Sequence, residues 1–207
     1  MKPLIIGLDF DNTIVCYNEV FYTEAVRKNL IPLSIPPSKE KIRNELRRQG
    51  REDEWTELQG YVYGKCMHAA SIFPGFLDFV AHARSKASKL YIISHKSRVP
   101  FRGPAFDLHQ SALAWLEENG FFSRQGFSLK EVHFLETKLE KLECIGQLAC
   151  SHFIDDLPEF LTEREFPAQT LPILFNPENK QLDSSHSSVR SFQTWAAIKE
   201  YVFNGNS

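Results

Sequence analysis

The sequence lacks several features that would assign its class at once. Its four cysteines, Cys16, Cys66, Cys144 and Cys150, show no C-x-x-C spacing. This argues against a disulfide framework or a zinc site and predicts reduced thiols in the cytoplasm. No apolar run is long enough to span a membrane, and the first one is too short for a signal peptide. We therefore expect a cytoplasmic protein that does not enter the membrane.

The sequence also has no excess of charge of one sign and no internal repeat. Its 24 Lys and Arg and 26 Asp and Glu residues give a formal net charge of −2. This balance disfavours a protein held mainly by nucleic-acid phosphates. The length of 207 residues, 43% of them hydrophobic, suits one core domain with room for a smaller insertion.

The most informative pattern lies near the N-terminus. The apolar residues 3–8 predict a short buried strand, and residues 9–13 then read Asp-Phe-Asp-Asn-Thr. Carboxylates at the carboxyl end of such a strand lie where open parallel sheets bind ligands. While the strand lasts, its period turns Asp9 and Asp11 to the same side and Phe10 to the other. Two neighbouring carboxylates resist ionising together, which indicates a shared proton or a bound metal.

Two later apolar segments continue the pattern. Residues 89–94 predict a strand ending at Ser94, and residues 131–135 predict another. The second is followed by a helix whose first turns carry Lys138 and Lys141. Strands that alternate with helices in this way predict a parallel sheet.

A fourth segment ends in two adjacent acids. Residues 152–156 predict a buried strand closed by Asp155 and Asp156. Adjacent carboxylates next to a core are costly without a counter-ion. Mg²⁺, which prefers oxygen ligands and binds through one or two carboxylates, would remove that cost.

Taken together and in this order, the four segments resemble the haloacid dehalogenase (HAD) superfamily, whose hallmark is an apolar strand ending in Asp-x-Asp-x-Thr. The resemblance runs from residue 1 to about residue 177. It implies an α/β fold, a three-layer Rossmann-like parallel sheet with helices on both faces, plus a small helical cap. It also implies a Mg²⁺-dependent phosphomonoester hydrolase that forms an aspartyl-phosphate. The expected partner is a small phosphorylated metabolite, a sugar phosphate or a nucleoside monophosphate, and nucleic acid is not favoured.

The resemblance also assigns roles to the residues at the strand ends. Asp9 would be the nucleophile, and Asp11 would be the acid and base that protonates the leaving oxygen and then activates water. Ser94 and Lys138 would bind the phosphoryl oxygens. Lys141 is the alternative to Lys138, although one turn further along the helix it could face away from the site.

The same resemblance implies a magnesium site. Its ligands would be Asp9, the backbone carbonyl of Asp11, and Asp156. Asp155 would reach the metal through water or would replace Asp156 as the direct ligand. Glu159 has the spacing of a further acid only if counted from Asp155, and otherwise it is a favourable charge in the first turn of a helix.

Residues 16–72 form the expected cap, and residues 1–15 and 73–207 form the expected core. Helical spacing recurs within residues 17–30, residues 38–50 and a segment that begins at residue 53. Residues 39–51 carry six basic residues interleaved with glutamates, which favours a solvated face over a phosphate-steering surface. These basic residues are Lys39, Lys41, Arg43, Arg47, Arg48 and Arg51. Directly after Ser94, the side chains of His95, Lys96 and Arg98 could line the substrate mouth.

Three other functions remain open on the sequence. A phosphomutase would pass the phosphoryl group to another hydroxyl, and a polynucleotide 3′-phosphatase would act on nucleic acid. The third function is that of a non-catalytic phosphate-binding module on the same fold. Such a module would not require Asp9, Asp11, Ser94, Lys138 and Asp156 all together. The sequence specifies neither the substrate nor the oligomeric state.

Overall fold

The computed structural model describes residues 3–186 and 189–205 and forms two compact units. The sheet unit comprises Met1–Val15, Ile72–His95 and Phe122–Ser207, and the helical unit comprises Cys16–Ser71 and Lys96–Phe121. Residues 96–121, which the sequence analysis placed in the core domain, therefore belong to the helical unit. The role of a cap for residues 16–72 stays a prediction.

A six-stranded sheet organises the sheet unit, in the order β5-β4-β1-β6-β7-β8. The pairings of β1 with β4 and β6, of β4 with β5, and of β7 with β6 and β8 are parallel. Its strands are β1 (Ile5–Leu8), β4 (Lys89–His95), β5 (Val132–Leu135), β6 (His152–Asp155), β7 (Leu171–Phe175) and β8 (Arg190–Phe192). Two short strands, β2 (Val15–Cys16) and β3 (Ser71–Ile72), pair separately. The predicted Rossmann-like α/β fold is confirmed.

Two of the four helices described in this unit start at a threonine whose side chain caps the helix. The four helices are α4 (Phe76–Ser85), α6 (Lys138–Gln147), α7 (Pro158–Leu161) and α8 (Trp195–Asn204), and the two capped in this way are α6 and α8. The Thr137 side chain accepts a hydrogen bond from the Glu140 N–H at 3.1 Å, and the Glu140 side chain accepts one from the Thr137 N–H at 2.9 Å. This capping box fixes the first turn of α6.

Buried apolar residues of adjacent strands form the core of the sheet unit. Leu8, Ile92 and Ile154 are fully buried and lie side by side in β1, β4 and β6. Each such side chain contributes about 1.5–3 kcal/mol when removed from water. The core thus anchors the three strands whose carboxyl ends carry the motif residues.

The helical unit is built from α1 (Asn18–Arg27), α2 (Lys39–Arg48), α3 (Glu52–Gly64) and α5 (Leu108–Glu118). Ser38 caps α2, its Oγ accepting a hydrogen bond from the Lys41 N–H at 3.3 Å. The ring of Phe21 in α1 stacks on that of Trp55 in α3, with centroids 5.1 Å apart. Around α2, three arginines pair with glutamates, as expected for a solvated face: Arg47 with Glu52, Arg48 with Glu45, and Arg51 with Glu54. Over the described residues, no helix has the length and apolarity needed to cross a membrane.

Candidate active site

Three neighbouring strands bring motif residues to one edge of the sheet. In the register of the sheet, Leu8 lies beside both Ile92 and Ile154. Asp9 follows Leu8, Ser94 lies two residues beyond Ile92, and Asp155 directly follows Ile154. Because parallel strands end at the same edge, these side chains share the crevice where such sheets bind ligands.

The loop after β1 is tightly folded back on itself. The Asp9 N–H donates to the Ile154 carbonyl oxygen at 2.9 Å, and the Val15 N–H donates to the Phe10 carbonyl oxygen at 3.0 Å. Asn12 has a φ of 62°, a left-handed conformation that asparagine tolerates better than most residues. Since β1 ends at Leu8, the alternation of a strand does not extend to residues 9 and 11. The period of a strand therefore does not fix the relative directions of Asp9 and Asp11, and the loop sets their positions.

Lys141 occupies the centre of the site. Its Nζ donates hydrogen bonds to Asp9 Oδ1 at 2.7 Å and to Asp155 Oδ2 at 2.6 Å. The Lys141 side chain is 3% exposed, and Nζ also lies 4.2 Å from the ring centroid of Phe160 and 5.3 Å from that of Phe153. A buried ammonium thus joins the carboxylates at the ends of β1 and β6.

Lys138, the lysine favoured by the sequence analysis, lies elsewhere. Its side chain is half exposed, and its Nζ binds Glu163 Oε1 at 2.6 Å. Side chains on a helix lean toward its N-terminus and cover the turn before their own Cα. From the second turn of α6, Lys141 therefore reaches the sheet edge, whereas Lys138 in the first turn projects beyond it. The preference for Lys138 is not supported by its position.

Burial and neighbouring charges shift the pKa values of Asp9 and Lys141. Burial raises the pKa of Asp9 to about 7; the ammonium of Lys141 opposes this, and the nearby carboxylates of Asp155 and Asp11 add to it. For Lys141, burial alone would lower the pKa, but the charges of Asp155 and Asp9 outweigh it and raise the pKa. Lys141 is therefore charged at neutral pH.

The carboxylates at this edge form a set that suits a divalent cation. One oxygen from each of Asp9, Asp155 and Asp156 lies within 4.8 Å of the other two. Asp155 is fully buried, and its two oxygens already accept from Lys141 Nζ and from the Leu157 N–H at 2.9 Å. Asp156 is less buried. Three carboxylates against one ammonium leave an excess of negative charge, which Mg²⁺ would balance.

The other predicted residues are placed as follows. Ser94 is buried, with 1% exposure, at the end of β4. His95 follows it and is exposed, with its Nε2 3.1 Å from the Glu136 carbonyl oxygen. Lys96, which is buried, and Arg98 belong to the helical unit. Glu159 is exposed in the first turn of α7. The role of His95, Lys96 and Arg98 in lining the substrate mouth stays a prediction.

Comparison with known proteins finds a clear likeness in structure alone. No protein-family profile and no curated relative matches the chain. Among solved structures, it is similar to HAD-hydrolase YfnB from Bacillus subtilis bound to magnesium, with 14% identity, TM-score 0.63 and coverage of 99% of this chain and 100% of that one. It is also similar to a HAD family hydrolase from Deinococcus radiodurans R1 with bound phosphate and sodium, with 11% identity, TM-score 0.60 and coverage of 98% and 96%.

A third similar structure is named as a predicted phosphoglycolate phosphatase from Haemophilus somnus 129PT. It has 13% identity and a TM-score of 0.59, and the match covers 98% of this chain and 99% of that one. Likeness over nearly the whole of each chain agrees with the resemblance that the strand-end motifs predict. This chain has the fold of the haloacid dehalogenase superfamily of hydrolases and phosphatases.

Proposed function

We propose that this protein is a Mg²⁺-dependent phosphomonoester hydrolase that acts through an aspartyl-phosphate on a small phosphorylated metabolite. The observation that carries the proposal is the buried Lys141, which is bonded to both Asp9 and Asp155 where β1 and β6 end. A fixed ammonium beside a carboxylate nucleophile offsets the negative charge of an incoming phosphate. Ser94, near the end of the neighbouring strand β4, would supply a buried hydroxyl for a phosphoryl oxygen.

The reaction then needs two steps at one carboxylate. An oxygen of Asp9 attacks phosphorus, the bond from phosphorus to the leaving oxygen breaks, and Asp11 gives that oxygen a proton. In the second step Asp11 takes a proton from water, the resulting hydroxide attacks phosphorus, and Asp9 is released. Throughout, Lys141 and Ser94 hold the phosphoryl oxygens.

The metal would be held by Asp9, Asp156 and the Asp11 carbonyl oxygen. When bound, Mg²⁺ supplies positive charge that shields the phosphate from the approaching carboxylate. Asp155 is then left to position Lys141 and to accept from the Leu157 N–H. This division of labour follows from the two hydrogen bonds that Asp155 already makes.

The test of activity is phosphate release from a panel of phosphomonoesters with Mg²⁺ or with a chelator. The panel holds sugar phosphates, nucleoside monophosphates and short phosphorylated carboxylic acids, the last prompted by the name of the Haemophilus somnus neighbour. Release should need Mg²⁺ and should fall at least about a thousandfold in Asp9→Asn, because the nucleophile is lost. The exposed Asp78→Asn is the matched control. Isomerised product without phosphate release would favour a phosphomutase, and activity in Asp9→Asn would contradict the proposal.

A second test separates the two adjacent acids. Asp156→Asn should raise the Mg²⁺ concentration for half-maximal rate by about 10- to 100-fold and leave the melting temperature almost unchanged. Asp155→Asn should lower the melting temperature, because Lys141 loses one of its two buried counter-charges. If Asp155→Asn shifts the Mg²⁺ requirement more than Asp156→Asn does, the ligand assignment is reversed.

A further inference from the structure

The C-terminal helix α8 contacts the loop that carries Asp11. The indole Nε1–H of Trp195 donates a hydrogen bond to the Thr13 carbonyl oxygen at 3.2 Å, across 182 residues of sequence. Both residues are fully buried. Nothing in the motif pattern of the sequence links the end of the chain to this loop.

Aromatic packing and a helix cap fix the indole in place. Its ring lies 4.9 Å from Phe76, 5.0 Å from Phe79 and 5.4 Å from Phe175, measured between centroids. The Thr194 side chain caps α8 by accepting from the Ala197 N–H at 3.2 Å. With its ring held on several sides, Trp195 offers its N–H in one direction at little entropic cost.

The loop has backbone hydrogen bonds of its own, and the contact with Trp195 adds to them. The Asn12 N–H donates to the Val15 carbonyl oxygen at 2.9 Å, and the Ile14 N–H donates to the Phe10 carbonyl oxygen at 3.1 Å. Within the described part of the chain, the buried Thr13 hydroxyl has no hydrogen-bond partner. Its carbonyl oxygen, in contrast, accepts the hydrogen bond from Trp195 and so joins α8 to Thr13. Asn12, directly before it, is in a left-handed conformation. The Thr13 carbonyl lies in the peptide that joins Thr13 to Ile14, so a rotation of this peptide would shift the short loop in which Asp11 lies two residues earlier.

We infer that Trp195 is a positioning residue, which holds Asp11 in the orientation for proton transfer through the Thr13 carbonyl oxygen. This inference rests on the proposed function, in which Asp11 protonates the leaving oxygen as the bond between that oxygen and phosphorus breaks. Trp195 itself touches no reacting atom.

The consequence is a dependence on the leaving group. An alkoxide is a strong base and leaves only when protonated, whereas 4-nitrophenolate leaves without a proton. A misplaced Asp11 should therefore slow the hydrolysis of an alkyl phosphate much more than that of 4-nitrophenyl phosphate. A general loss of folded protein would lower the two rates of hydrolysis by the same factor.

The experiment compares kcat/KM for the two esters at saturating Mg²⁺, because this ratio covers the steps through release of the alcohol. Trp195→Phe keeps a ring and removes the donor; it should lower kcat/KM about tenfold for propyl phosphate and less than about threefold for 4-nitrophenyl phosphate. Asp11→Asn should also lower kcat/KM more for propyl phosphate than for 4-nitrophenyl phosphate. Both falls should be larger than those in Trp195→Phe. The matched control is Trp115→Phe, which removes another buried indole hydrogen bond, from Trp115 Nε1 to the Ala70 carbonyl oxygen at 2.9 Å. It should leave the ratio of the two rates unchanged.

If Trp195→Phe does not fold, replacement of Trp195 by benzothienylalanine removes the N–H and keeps the bicyclic shape. An equal fall for the two esters, or no fall, in a folded variant would overturn the inference. Asp9→Asn, assayed alongside, tests the proposed function separately. Turnover in Asp9→Asn contradicts the covalent mechanism. If Asp9→Asn is inactive but Trp195→Phe lowers kcat/KM equally for the two esters, only the role of Trp195 is contradicted.

Discussion

At the scale of single residues, the position of Lys141 follows from its two counter-charges. A lone ammonium in a protein interior is costly, and removal of one partner of a buried pair typically costs about 3–5 kcal/mol. Here Asp9 and Asp155 both accept from Nζ, and the ring of Phe160 lies against it. The three side chains therefore hold one another in place before any substrate arrives. Such preorganisation is the main source of electrostatic catalysis.

The two lysines of α6 give a direct prediction. Lys141→Met should lower kcat/KM by at least about a hundredfold, since a charge aimed at the phosphate is lost. Lys138→Met, the matched control, should change kcat/KM by less than about twofold, and the loss of its exposed pair with Glu163 should cost up to about 1 kcal/mol. Kinetics on the best substrate and thermal melts of the two variants check this. The opposite order of effects would return the phosphate-binding role to Lys138.

This pair of lysines also shows what sequence can and cannot predict about a site. The acids at the strand ends are visible because each follows an apolar run, and Asp9 and Asp155 indeed share one edge of the sheet. The choice between Lys138 and Lys141 depends on where α6 starts and how its side chains lean. Those are properties of packing, which composition and spacing do not encode.

At the scale of elements, the close approach of β1 to its neighbours places the motif residues at one edge. Gly7 makes this approach feasible, because a Cβ there would lie 2.5 Å from Phe153 Cδ2 and 3.2 Å from Cys150 Sγ. Phe153 is fully buried in β6, so it cannot move aside without disturbing the strand that ends at Asp155. The glycine thus couples strand packing to the geometry of the site.

Gly7→Ala should therefore destabilise the protein by about 1–3 kcal/mol, the usual range for overpacking a core. Gly146→Ala is the matched control. A Cβ there has its nearest neighbour at 3.7 Å, and alanine in the helix α6 should stabilise the protein by up to about 1 kcal/mol. Denaturant unfolding of the two variants checks the signs. A neutral or stabilising Gly7→Ala would show that Phe153 yields more easily than its burial implies.

Most elements were predictable because their patterns are local. Strands appear near the positions that the apolar runs predict, and α1 and α2 lie within the segments with helical spacing. The strand β8 was missed, since Arg190 and Ser191 are exposed and the segment has no apolar run. Its pairing with β7 is a long-range contact that no local pattern reveals.

At the scale of the whole molecule, residues 96–121 belong with the helical unit. The sequence predicts these residues to lie in the core domain, where a helix that follows a strand of a parallel sheet usually packs. In the structure, α5 packs against α3, and the ring of Phe106 lies 6.3 Å from that of Tyr61. A helical period shows that one face is buried, but not which partner buries it.

This division predicts the outcome of two deletions joined by Gly/Ser connectors. A variant that lacks only residues 16–71 should aggregate, because it exposes the apolar face of α5, including the buried Trp115 and Leu116. A variant that lacks both 16–71 and 96–121 should be more soluble and melt cooperatively. Soluble yield and thermal melts compare the two. Equal behaviour would mean that α5 does not depend on residues 16–71 for its burial.

The most direct test of the whole account is the identity of the residue that carries phosphate during turnover. The protein is mixed with its best phosphomonoester and Mg²⁺, quenched in the steady state, and reduced with borohydride, which converts an aspartyl-phosphate into homoserine. Mass spectrometry of the peptides should find homoserine in place of Asp9 in the wild type. In a sample without substrate, it should find unmodified Asp9. Turnover with no reduced residue under conditions that stabilise acyl phosphates, or with the reduced residue at a position other than 9, would contradict the account.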